Sequence, residues 1–118
     1  MSFSLTSTST TTRTGYTIRL GATSSTALTT SSFLAPTFTT VFSSNYTPFV
    51  GTNLFTFSTP FVWDGSSNIV IETCWDNIAS TATESSTATA QTTSFNSVIS
   101  LIELRLQELQ FVELLIHL

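Results

Sequence analysis

Lysine is absent from this chain of 118 residues, and its cationic side chains are Arg13, Arg19 and Arg105 alone. Charged residues make up only 8% of the sequence, with a formal net charge of -4, whereas roughly a quarter of an ordinary soluble domain is charged. So few cations cannot neutralise a run of phosphates, which excludes nucleic acid as a partner. Cysteine and histidine occur once each, as Cys74 and His117, so a zinc site built on such ligands is excluded as well. Cys74 is left as a small buried apolar residue or as half of a disulfide whose partner lies elsewhere. No apolar run reaches the roughly 18 residues of a membrane-spanning helix. The opening MSFSLTSTSTTTR has neither the basic nor the apolar region of a signal peptide, so an export signal is expected upstream.

What is present is hydroxyl. Ser and Thr fill more than a third of all positions; Thr suits a pleated, half-buried surface and Ser favours turns. Alternating apolar and polar residues mark strands with one buried face. In YTIRLG, Tyr16, Ile18 and Leu20 share a face opposite Thr17 and Arg19. SFSLTSTS pairs Phe3 with Leu5, and FTTVFSS, NLFTFST and NIVIETCW follow, with TATAQTTSF a weaker last candidate. NLFTFST points Phe55 and Phe57 inward. NIVIETCW sets Ile69, Ile71, Thr73 and Trp75 against Val70, Glu72 and Cys74, which reads as a central strand apolar on both faces at its start. Short strands with no helical pattern between them predict an all-β antiparallel sandwich, jelly-roll-like, over residues 1–100.

The composition then breaks. LIELRLQELQFVELLIHL, residues 101–118, has no Ser, Thr, Gly, Pro or Asn and holds four of the ten charged residues. Leu, Glu, Gln and Arg favour helix, so propensity predicts a C-terminal helix of modest amphipathicity. A shift of reading frame near the end of a sequence leaves an abrupt change of this kind, and such a tail would be an aggregation liability.

The stretch FTFSTPFVWDGSSNIVIETCWDN, Phe55 to Asn77, concentrates the candidate site residues. Asp64-Gly65 between two strand-like runs predicts a turn in which Gly accepts a positive φ and Asp accepts from the following amides, so that the stretch reads as a hairpin. Alternatively Asp64, with Asn68, Asp76 or Asn77, supplies oxygen ligands for calcium. Trp63 and Trp75 can form a platform for a sugar ring, with Asp64, Asp76 and Asn77 bonding its hydroxyls, or can serve as core residues. Catalysis finds little footing: there is no G-x-S-x-G elbow, and Glu72 and Asp76 lie about 13 Å apart along a strand, beyond the roughly 5 to 9.5 Å of paired glycosidase carboxyls. No catalytic residue and no cofactor is expected. Asn45-Tyr46-Thr47 fits the N-glycosylation sequon, and the Ser/Thr-rich stretches fit either exposed strands and loops or O-glycosylated segments.

Taken in order, GYTIRLGATSSTAL, FTTVFSSNYTPFVGTNLFTFSTPFVWDGSSNIVIETCWDN and TTSFNSVIS resemble a β-sandwich module that recurs in large secreted and surface proteins of Bacteroidetes. Those proteins also carry fibronectin type III-like repeats and a sorting domain for type IX secretion. The resemblance covers about Leu5 to Ser100. It implies a non-enzymatic structural or adhesion module, secreted or on the cell surface, whose partners are neighbouring domains of a longer chain and glycans, without nucleic acid or membrane insertion. It also implies an internal or truncated start at Met1. After TTSFNSVI the family continues with a further strand and often a cysteine, a partner for Cys74, where this chain has its Leu/Glu-rich tail.

Overall fold

The computed structural model describes residues 1–29, 31–77, 86–90, 92–102 and 108–116, with the backbone alone at 77, 99–102 and 108–116. Eight strands follow in order: β1 (Ser2–Thr8), β2 (Arg13–Thr23), β3 (Phe38–Tyr46), β4 (Gly51–Leu54), β5 (Asn68–Asn77), β6 (Ser86–Ala88), β7 (Val98–Ile102) and β8 (Glu108–Ile116). They form two antiparallel sheets, one ordered β4-β1-β6 and the other β3-β2-β5-β8-β7. The alternation in YTIRLG and NIVIETCW is borne out: Tyr16, Ile18, Leu20, Ile71 and Trp75 meet in one buried cluster with Val41 and Phe55. Phe3 from β1 joins that cluster, its ring 5.9 Å from that of Phe55. The all-β, sandwich-like architecture follows from these faces closing on one another.

Two expectations are corrected. The segment read as a C-terminal helix, residues 101–118, is extended where it is described, at 101–102 and 108–116, and among the described residues there is no helix. β8 pairs with β5 in unbroken register from Ile69↔Ile116 to Asn77↔Glu108, and β7, which runs across residue 100, pairs with β8. Helix propensity is a weak prior, and β5, apolar on both faces and already paired with β2 on one edge, offers a whole ladder of unpaired amides and carbonyls on the other. The stretch from Phe55 to Asn77 is likewise no hairpin. β4 pairs with β1 and β5 with β2, so the Asp64-Gly65 turn lies in a connection between sheets. Pro60 cannot donate to a ladder, and Phe55, only 3% exposed, is drawn into the core.

Bulges re-aim key side chains. Between Arg13 and Tyr16, β2 carries an extra residue relative to both β3 and β5. Gly15, at φ +61°, supplies the left-handed conformation, and its amide donates to Asn45 Oδ1 at 3.0 Å. The extra residue inverts the alternation, so that Arg13 turns to the same inner side as Tyr16. A second bulge lies on β3 where Ile18↔Phe42 passes to Arg19↔Thr40. It leaves Val41 outside the β2 ladder, and its carbonyl accepts from the Ser58 amide at 2.9 Å and the Ser58 hydroxyl at 3.3 Å.

The outer face of the five-stranded sheet is covered in part by loops. Leu28 and Val70 are buried there with Leu34, Phe38 and Phe95 around them. The Leu28 amide donates to Asn96 O at 2.7 Å, and Asn68 Nδ2 to Ser25 O at 2.9 Å. Pro36 lies so close that a Cβ on Gly21 would sit 2.7 Å from its Cγ.

Candidate functional site

The turn that carries Trp63 and Asp64 is built by the aspartate. Asp64 Oδ1 accepts from the amides of Ser66 and Ser67 at 2.9 and 2.7 Å, and Oδ2 accepts from the Ser67 hydroxyl. Gly65 takes φ +80°, as the Asp-Gly pair led us to expect. Hydrogen bonds from the Ser67 hydroxyl and from both amides favour the ionised form and hold the Asp64 carboxyl down at about 2. The Trp63 indole donates to Ser67 O at 2.7 Å, which ties the ring to the residue before β5. Trp63 stays 42% exposed beside an open Val62.

Trp75 lies elsewhere. It is buried against Tyr16, with ring centroids 5.7 Å apart. From Asn68 to Trp75, β5 extends about 24 Å, and Trp63 is anchored before its first residue. The structure therefore corrects the two-tryptophan platform: the rings occupy opposite ends of β5, and one of them is core. The same separation divides Asp64 from Asp76, so the calcium set of Asp64, Asp76 and Asn77 is not assembled. Asn68 is buried and donates to Ser25 O. No group of His, Cys, Asp or Glu suited to a metal ion occurs among the described residues.

Around Trp75 the inner corner is aromatic and cationic. Tyr16 is its hub, with the rings of Tyr46, Phe55 and Phe42 at 4.9, 5.7 and 6.4 Å. The Arg13 guanidinium lies 4.9 Å from the Trp75 ring centroid and 5.8 Å from that of Tyr46, and Nη2 donates to Ser86 Oγ at 2.6 Å. Arg13 thus ties β2 to β6 across the two sheets. Sequence reasoning missed it, because strict alternation back from Tyr16 puts position 13 outside. The available signal was Gly15, since an isolated Gly inside a strand pattern marks a bulge.

Burial pushes the Tyr16 hydroxyl up to about 12. The folded chain keeps this phenol neutral at a pH where the unfolded chain has ionised it. Its contribution is therefore whole below about pH 10 and is lost as the pH climbs toward 12, a change of about 2–3 kcal/mol. Denaturant unfolding at pH 8, 10 and 11.5 is expected to show this decline, and Tyr16→Phe is expected to flatten it. An equally steep fall in the variant would assign the loss to other groups.

The opposite face of β5 carries Glu72, Cys74 and Asp76. Glu72, 5% exposed, pairs with Arg19 on the neighbouring strand, Arg19 Nε donating to Oε1 at 2.6 Å, and the Arg19 guanidinium also lies 4.7 Å from the Phe38 ring centroid. Cys74 is a free, half-buried thiol, raised first by burial and then by the Glu72 charge, which makes it a poor nucleophile. Asp76 Oδ1 is buried without a hydrogen-bond partner among the described residues. At the far end of β3, Asn53 organises the approach to β4. It is 1% exposed, its Oδ1 accepts from Tyr46 OH and the Phe49 amide, and its Nδ2 donates to Phe49 O and Gly51 O. No family model, curated protein or solved structure matches the chain.

Proposed function

We propose that this chain is a non-enzymatic structural or adhesion module of a secreted or cell-surface bacterial protein, of the sandwich kind found beside fibronectin type III-like repeats in Bacteroidetes surface proteins. The observation that carries this reading is the use made of the residues best suited to chemistry. Asp64 closes a turn, Glu72 pairs with Arg19 and Trp75 fills the core. Each is engaged in holding the fold. The hydroxyl-rich, weakly charged sequence is consistent with a surface that remains soluble without strong attraction to charged polymers.

Antibodies raised against the domain test the setting. Intact cells expressing the complete gene, or their medium, are expected to carry the epitope, with no further signal released by permeabilisation. An epitope confined to the cytoplasm would reject the proposal.

A further inference from the structure

A singly exposed apolar residue is commonplace, but Trp63 differs in that a turn is built around it. Its indole and the Asp64 carboxylate converge on one residue: Nε1 donates to Ser67 O, while Asp64 Oδ1 and Oδ2 take the Ser67 amide and hydroxyl. Ring and carboxylate are thereby held within one residue's span of each other. Phe61, packed against the core, and buried Asn68 anchor the loop on either side. The indole N–H is spent inside the turn, and among the described residues no ring or guanidinium covers the Trp63 face. Asp64 Oδ2 accepts from the Ser67 hydroxyl and keeps a lone pair, and the exposed Ser66 hydroxyl is held loosely, 3.4 Å from Oδ1. What residues 63–66 offer a ligand is one aromatic face, one anionic acceptor and one hydroxyl.

A folded protein partner needs about 800 Å² on each side, more than the exposed Val62 and Trp63 side chains supply. A bilayer would have to take in the Asp64 carboxylate with the ring, and that group is held ionised, which makes insertion costly. A pyranose is amphipathic in the required way, with a face of C–H groups to lie on the indole and rim hydroxyls to donate to Oδ2 and meet Ser66. The charge of Asp64, on a chain of net charge -4, selects a neutral sugar over an acidic one. We propose that Trp63, Asp64 and Ser66 form a subsite for one neutral pyranose of a polysaccharide, with Trp63 the stacking face and Asp64 the acceptor. This names the partner that the adhesion reading leaves open, and it rests on that reading for where the partner is met. One sugar binds such a subsite at about millimolar strength, and a polymer that presents many sugars to many modules multiplies it.

The test is native affinity electrophoresis of the full chain through gels cast with dextran, laminarin, mannan or galactan, with polygalacturonate as the acidic control. Retardation by at least one neutral polysaccharide is expected, and Trp63→Ala is expected to abolish it. Trp63→Tyr, which keeps a stacking face without the indole N–H, is expected to retain part of it. Titration with the matching methyl glycoside should move the Trp63 indole N–H resonance and leave that of buried Trp75 in place, a readout that decides alone if Trp63→Ala fails to fold. Free passage of the wild type through every neutral gel overturns the proposal, as does a folded Trp63→Ala retarded like the wild type. Retardation by polygalacturonate alone overturns it in favour of an acidic polymer, and Trp63-dependent sedimentation with phosphatidylcholine vesicles, without retardation, in favour of a membrane. Binding is read on the purified chain, so an epitope confined to the cytoplasm would reject the surface setting and leave the subsite standing.

Discussion

Tyr16→Ala is expected to lower the unfolding free energy by about 3–5 kcal/mol, a large share of the roughly 5–15 kcal/mol that stabilises a domain. The phenol is 5% exposed and meets Phe42, Tyr46, Phe55 and Trp75. Truncation therefore removes buried area and leaves a cavity between the sheets that rigid neighbouring rings cannot close. It also takes away one wall of the corner in which Arg13 is enclosed. Guanidinium unfolding should show a lower midpoint at unchanged slope. Tyr16→Phe, which keeps the ring and removes only the hydroxyl bonded to Thr73, should cost about 1 kcal/mol. Equal losses in the two variants would move the effect from packing to the hydrogen bond.

Asn53→Leu is expected to cost about 3–4 kcal/mol, because leucine has a similar volume and none of the polar atoms. The substitution strands the Phe49 amide and the carbonyls of Phe49 and Gly51, and takes the acceptor from Tyr46 OH. Each orphaned buried group costs about 1–3 kcal/mol, reduced where water can reach it. Calorimetry should show the fall in melting temperature, and hydrogen exchange should show the Phe49 amide losing protection. A loss below about 1 kcal/mol would mean that the turn between Tyr46 and Gly51 re-forms without its asparagine.

Much of the sheet pattern was legible because strand alternation is a local signal. Tyr16, Ile18 and Leu20, or Ile69 and Ile71, declare their common face within a few residues. The Asp64-Gly65 turn was equally legible, since positive φ and amide capture are properties of those two residues. What the turn connects was not: Phe55 and Phe57 alternate as a strand would, and only the pairing of β4 with β1 ends the ladder at Leu54. The C-terminal segment misled for the same reason. Its composition speaks for helix, while its conformation answers to the open edge of β5. Trp75 was assigned the right face while platform and core both stood open, because burial depends on the second sheet, and Arg13 was given no face, because alternation read from Tyr16 does not carry back across a bulge.

The order of the five-stranded sheet bears on how the protein is made. β5 lies between β2, which precedes it in the chain, and β8, which ends at Ile116. During synthesis one edge of β5 therefore waits, unpaired, while about forty further residues are added, and long-range pairing of this kind forms slowly. A chain interrupted before β8 would present that edge to its neighbours, as a template for association between copies. Until β8 arrives, the protein is better suited to being carried than to being stored.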